Sequence, residues 1–412
     1  MPAFFSFEAA NPLSYLGILA FICFILLGLT GVLLMVYYVP ESTASYDSVA
    51  KINDLIPYGF EMRQLHYWLA NFMIVLSILH LFYLYFKRKY RLYDEVLWIT
   101  GIVVGLLTVF ETYTGYVLIM NMRAMLALDI GAGILRNIAT VLAVLFQGSS
   151  YNDMVLRMYA LHIVLLPAIM VVLFVLHFPR KLTLDAPVIL AMIGAAFVVG
   201  GLAPAELGLK FVPGQPSMII IPEWYLTGIY ALLRTGVQVF AVTVLLPFIF
   251  ILVFVLIPFH DMQRGLGVTG RALHATIGIA AMLHIVLVTL WGYRSADLIN
   301  PITSQADLVI NPVTFYGLLI ITAVLIFVAA RLLMNRNILP KVRLTGNNRK
   351  INHKLARPAA IVLLAVALLF QVSLFVYPLY LLPPGSKGLP MTESGLSILA
   401  FAAATYFYRA AS

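Results

Sequence analysis

The sequence predicts an all-α, polytopic membrane helix bundle of about ten transmembrane helices. Three observations predict it. Of the 412 residues 62% are hydrophobic, and only 10% are charged, against roughly 25% in soluble domains. Apolar runs also recur at about 20 residues, the length that spans a hydrocarbon core of about 30 Å. Too few polar side chains remain to cover a water-facing surface, which excludes soluble, secreted, fibrous and disordered classes.

The apolar runs fall at 12–38, 64–86, 95–120, 155–178, 187–207, 239–259, 270–292, 312–334, 357–382 and 391–409. Each is read as a helix, because backbone in lipid must be hydrogen-bonded within its own segment. The first run has neither a basic leader nor a small-residue cleavage site, so it reads as a retained helix. An even number of spans puts both termini on one side. With that side inside, 17 of the 26 Lys and Arg lie in inner segments, which places both termini in the cytoplasm. The inner segment 335–356 is a basic, Asn-rich linker, read as an anchor for this orientation. Two outer connections, 121–154 and 208–238, are longer than turns need to be and are expected to function or dock. The chain thus divides into an N-terminal four-helix domain, 1–186, a second domain, 187–335, and the linker with two further helices, 336–412.

The net charge of +9 is scattered in short clusters between apolar runs, so the partner it implies is the lipid membrane and not nucleic acid. A single cysteine, Cys23, excludes an internal disulfide, a cysteine-based zinc site and a CxxCH haem attachment.

Four of the eight histidines lie inside two of the expected helices, His66 and His80 in the second, His162 and His177 in the fourth. At about 100° per residue, a separation of 14 falls about 40° short of four turns and one of 15 overshoots by about 60°, so each pair shares a face. The members of a pair stand about 21–23 Å apart along the axis, near opposite sides of the membrane. Both helices enter from the outer side, which puts His66 level with His162 and His80 level with His177. A lone intramembrane histidine usually bonds a carbonyl, but four at matched heights suit two haem irons with both axial positions filled.

Glycines support the same geometry. Gly17 and Gly31 in the first helix and Gly101 and Gly115 in the third are each 14 apart, and a flat macrocycle needs flanking positions without side chains, although glycine also serves membrane helix packing. Arg63 and Arg157 stand at the outer ends of the histidine helices, suited to haem propionates or to snorkelling at the interface. Glu111 lies mid-helix, one turn before Gly115. An acid there costs roughly 3 kcal/mol on insertion scales, so it is expected to bond a haem substituent or steer protons, or else to be held by another helix.

At these residues, from about 12 to 335, the sequence resembles cytochrome b, the quinol-oxidising membrane subunit of Rieske/cytochrome b complexes. The two-histidine helices, paired glycines, Arg63, Arg157, Thr114-Gly115-Tyr116 and Pro222-Glu223-Trp224-Tyr225 followed by Leu233-Arg234 carry the resemblance. The 15-residue spacing from His162 to His177, with Pro167 between, looks more like the photosynthetic branch than the mitochondrial one. The resemblance implies an outer haem on His66 and His162 and an inner haem on His80 and His177, b-type by default with a modified a-type as the alternative. It also implies quinol as substrate, Glu223 as the residue that bonds quinol and carries a proton outward, and Tyr225 and Tyr116 as lining of that pocket. One electron would pass to a Rieske iron–sulfur protein docked on the outer loops, and the other across the membrane to an inner quinone. Arg180, Lys181 and Asp185 are the inner-side polar residues available. A cytochrome c, a copper protein or terminal oxidase subunits would be the onward acceptor, in a dimeric multi-subunit complex of a prokaryotic plasma membrane.

The chain departs from the pattern in three places. Ile119-Met120-Asn121-Met122 stands where the family usually has Pro-Trp followed by Gly or Asp and Gln. Phe178-Pro179-Arg180-Lys181 offers no match to the mitochondrial inner-site histidine. Tyr15 stands where the photosynthetic branch attaches an extra haem, and Cys23, further along, is expected to pack. These departures point to a divergent prokaryotic respiratory member, archaeal ones among the candidates. Two other readings compete: a haem-bearing anchor passing quinol electrons to a partner reductase, against which Glu223 argues, and a proton-relaying transporter, which would need internal repeats that are not evident.

Overall fold

The computed structural model describes residues 12–91, 95–178, 186–213, 221–263, 267–294, 309–335, 353–376 and 386–411. Among them every regular element is helical, and β pairing is confined to one isolated bridge between Asn121 and Lys210. A short 3-10 turn at Pro12–Tyr15 precedes α1 (Leu16–Met35), α2 (Ser45–Asp54), α3 (Gly59–Phe86), α4 (Glu95–Val117), α5 (Met122–Ile138), α6 (Thr140–Gln147), α7 (Tyr151–Ala160) and α8 (Leu166–His177). Then follow α9 (Ala186–Leu202), α10 (Trp224–Leu233), α11 (Leu246–Gln263), α12 (Val268–Arg294), α13 (Pro312–Asn335), α14 (His353–Val376) and α15 (Gly388–Ala411).

Each of the ten expected runs is helical over most of its described residues, and eight of the helices are long and apolar enough to cross a membrane. The other two are α9 and α15. At 17 residues, α9 sits at the lower limit for a span, and α15 carries Thr392, Glu393, Ser394 and Ser397 in its first half. The chain is a multi-pass membrane protein.

The connection 121–154 differs from the loop expected of it. After α4, Met120 takes a left-handed conformation (φ 55°), which ends the helix, and Asn121 Oδ1 accepts from Ala124 N at 2.8 Å to start α5. Capping of this kind satisfies an N–H that the first turn leaves without a helical partner. Ala139, extended at φ −160°, separates α5 from α6, and Ser150 caps α7. The departure Ile119–Met122 is therefore the hinge between α4 and α5. Most of the linker 335–356, together with Arg180, Lys181 and Asp185, lies outside the described residues.

Two helical runs widen by one residue. Leu166 N bonds Leu161 O, and Leu246 N bonds Ala241 O, each five residues back, in π turns at Leu161–Leu165 and Ala241–Leu245. A proline follows each turn two residues on, Pro167 and Pro247. Proline has no N–H and its ring collides with the carbonyl four residues back, so a wider turn before it relieves the clash without breaking the helix.

The chain forms two contact units. The first holds Met1–His80, Phe178–Leu207 and Leu344–Ser412. In it α15 lies along both α9 and α14. Gly194 and Gly201 on α9 meet Gly395 and Gly388 on α15: a Cβ on Gly395 would stand 2.6 Å from Val198 N, and one on Gly201 would run into Gly388 O. Each glycine pair is seven residues, about two turns, apart on its helix, so the two backbones touch along one face as small residues permit in membranes.

The second unit holds Leu81–His177 and Gly208–Arg343. There Trp98 Nε1 donates to Phe254 O at 2.8 Å, tying α4 to α11. Tyr85 stacks on His274 at 4.3 Å, and the Tyr90 hydroxyl lies 2.7 Å from His274 Nε2. α10 packs on α12 and shares a core of Ala231, Leu232, Val242, Ile310 and Phe315.

Candidate functional site

Each of the four helix histidines rests on the glycine of a neighbouring helix. In the first unit a Cβ on Gly17 would stand 2.8 Å from His80 Cε1, and one on Gly31 would stand 3.4 Å from His66 Cε1. The second unit repeats the arrangement. A Cβ on Gly101 would be 2.8 Å from His177 Cε1, and one on Gly115 2.5 Å from His162 Cε1. The 14-residue glycine spacing on α1 matches the 14-residue histidine spacing on α3. On α4 the same spacing faces histidines 15 apart. The π turn that contains His162 absorbs the extra residue, so both rings stay over their glycines.

Hydrogen bonds fix the tautomer of three rings. His177 Nδ1 lies 3.1 Å from Leu97 O, and His162 Nδ1 lies 3.1 Å from Glu111 O. A carbonyl only accepts, so each Nδ1 must carry the proton. The Thr30 hydroxyl gives its proton to Leu26 O at 2.8 Å, which leaves its oxygen to accept from His66 Nδ1 at 2.9 Å. In all three, Nε2 is left with its lone pair, the form that ligates a metal, and the partner at Nδ1 orients the ring. Thr100 and Thr114 add hydroxyls 3.3 Å from His177 and His162 Nδ1. This donor set, with side-chain-free backbone beside every ring, fits haem.

Crowding at the glycines is unequal, and this leads to a prediction. Gly115→Ala forces the His162 ring to move and is expected to cost about 1–3 kcal/mol through overpacking and to reduce haem content. Gly31→Ala, with ordinary van der Waals room beside the His66 ring, leaves that ring in place and should lose less haem than Gly115→Ala. Haem-to-chain ratios of the two variants check the contrast, and equal ratios would contradict it.

Among the remaining candidates, Glu223 stands at the start of α10 with its side chain 11% exposed, and Arg123 Nη1 approaches its Oε1 at 3.4 Å. Pro222 just before it is buried. Trp224 and Tyr225 pack edge to face, and Tyr116 is buried in the last turn of α4. Arg234, buried against the ring of Tyr230 at 5.1 Å, lies outside the membrane spans, and burial lowers its pKa from the usual arginine range. Arg63 is buried and donates to Asn53 Oδ1 at 3.0 Å, Ala205 O at 2.8 Å and Glu206 O at 3.1 Å. That engages three of its five N–H donors in joining α2, α3 and the segment after α9. Arg157 is exposed and donates to Val144 O at 2.8 Å. Cys23 is fully buried in α1.

Two family models match successive parts of the chain. Residues 8–182 fit the model described as cytochrome b/b6/petB, and residues 213–311 fit that of cytochrome b(C-terminal)/b6/petD. A cytochrome bc complex cytochrome b subunit from Chlorobaculum thiosulfatiphilum is 30% identical over 287 residues, covering 61% of this chain and 67% of the relative. The chain belongs to the cytochrome b family. Cytochrome b6 of Heliobacterium modesticaldum is 34% identical over 168 residues, 40% of this chain and 79% of that one. A solved chain titled hyperthermophilic respiratory Complex III shares the fold, with a TM-score of 0.57 at 19% identity over 79% of this chain and 92% of that one. Membership implies haem binding and a redox role within the membrane.

Sequence reasoning on this cytochrome b named Thr114 only as part of a motif and passed over the other two threonines beside the histidines. Thr30, Thr100 and Thr114 each stand immediately before Gly31, Gly101 and Gly115, so a repeated Thr-Gly pair was the available signal. Leu16 stands before Gly17 instead. Arg123 was also missed. It precedes Glu223 by 100 residues, and no spacing marks it.

Proposed function

We propose that this chain is the cytochrome b subunit of a respiratory quinol-oxidising complex, built of a di-haem domain (1–186), a second domain (187–335) and two added helices (336–412). The observation that carries the reading is the paired histidine–glycine geometry, twice on α1 with α3 and twice on α4 with α7–α8. His66 with His162 would hold the outer haem and His80 with His177 the inner one, with b-type haem the default. When bound, the two haems supply a path for single electrons across the membrane. Arg63 and Arg157 would bind the propionates of the outer haem.

Quinol oxidation releases two protons and two electrons, so its site needs a base beside an apolar pocket. Glu223 fills that role, with Tyr225 and Tyr116 lining the pocket. Arg123 neutralises the carboxylate between turnovers and releases it readily, because so exposed a pair is weakly held. The outer side carries quinol oxidation and proton release, and proton uptake on the inner side completes the gradient. The fitting partners are a Rieske iron–sulfur protein and, beyond it, a cytochrome c, a copper protein or terminal oxidase subunits. The complex would be dimeric in a prokaryotic plasma membrane, with both termini of this chain cytoplasmic.

The test is the purified complex mixed anaerobically with a reduced quinol and a high-potential acceptor. Haem reduction that follows quinol addition and depends on the acceptor supports the reading. Haems that reduce identically without the acceptor would favour an anchor that does not divide the two electrons.

A further inference from the structure

Glu111 reaches the ring of His162. Its carboxylate Oε1 stands 3.0 Å from His162 Nδ1, and both side chains are 18% exposed. The same residue's backbone O lies 3.1 Å from that nitrogen, and the Thr114 hydroxyl, which donates to Glu111 O at 2.8 Å, lies 3.3 Å from it. Glu111 Oε2 is buried with no hydrogen-bond partner among the described residues. Against this, His66 meets the Thr30 hydroxyl, and His177 meets the Leu97 carbonyl and the Thr100 hydroxyl, all neutral acceptors.

An acid inside a membrane helix is disfavoured unless it faces a functional group, and here its one bonded oxygen faces the Nδ1 of an axial ligand. We propose that Glu111 is a positioning residue for the outer haem, its carboxylate accepting the Nδ1–H of His162. The inference rests on reading His162 as a haem ligand. A carboxylate at Nδ1 orients the imidazole and strengthens Nε2 as an electron donor, and a stronger axial donor stabilises oxidised over reduced iron. The Thr30 hydroxyl at His66 Nδ1 is neutral and gives no such push of its own. The inner haem gains nothing from Glu111, which belongs to the other end of α4.

Redox titration of the purified holoprotein, following each haem by its absorption band, tests this. Glu111→Gln is expected to keep two haems and to shift the outer haem's equilibrium roughly tenfold toward the reduced form, about 59 mV for one electron, with the inner haem unmoved. Glu111→Asp, which retains the acid, should stay nearer wild type. A Glu111→Gln protein with both haems and an unmoved outer potential overturns the proposal, as does loss of the outer haem from both variants, which would make the residue a packing element. His162→Leu tests the ligand assignment separately. If that variant keeps two haems, the reading beneath the proposal fails, whereas an unmoved potential in a chain that needs His162 removes only the carboxylate's role.

Discussion

His80→Leu is expected to give a membrane-inserted chain that holds one haem in place of the two proposed for the wild type. The substitution keeps an apolar side chain of similar bulk against Gly17, whose absent Cβ leaves room for it, and removes the imidazole nitrogen proposed to bind iron. His66, 14 residues away, stands about 21 Å along the helix, so its site on α3 should be undisturbed. A pyridine haemochrome assay per mole of chain reads the result. Two haems per chain in His80→Leu would remove His80 from the ligand set.

The second large effect falls on turnover. Glu223→Gln keeps the shape of the side chain and its capacity to accept from Arg123, which now stands 3.4 Å away, but an amide cannot take up a proton at working pH. General-base contributions run about 10²–10⁴-fold, so quinol oxidation should fall by about 100-fold or more while both haem spectra stay intact. The loss should appear in kcat as well as in kcat/KM, as for an interaction made in the transition state. An exposed ion pair adds little stability, so thermal unfolding in detergent should barely change. Turnover equal to wild type across the pH range would exclude Glu223 from the chemistry.

The architecture was legible because lipid allows few alternatives: a run of about 20 apolar residues has to be a helix. The histidine and glycine spacings were legible for the same reason, since a helix converts residue number into angle and depth. What escaped was local. The 60° overshoot expected between His162 and His177 assumes an unbroken α-helix. Pro167 was visible, but the π turn it induces is a backbone response that spacing alone does not encode. Residues 121–154 read as a loop because their apolar runs are short, yet Asn121 and Ser150 cap helices there. The partners of Glu223 and Glu111 lie 100 and 51 residues away. Glu111 was recognisable as an intramembrane acid, but its contact with the histidine depends on how α4 meets the π turn, and only the three-dimensional arrangement supplies that.

The most direct measurement is the haem content and coordination of the purified wild-type chain. Two haems per chain, both low-spin, six-coordinate and unreactive toward carbon monoxide, are expected if the four histidines supply their Nε2 atoms as axial ligands in the two proposed pairs. One haem per chain, or a five-coordinate haem that binds carbon monoxide, would contradict the four-histidine assignment.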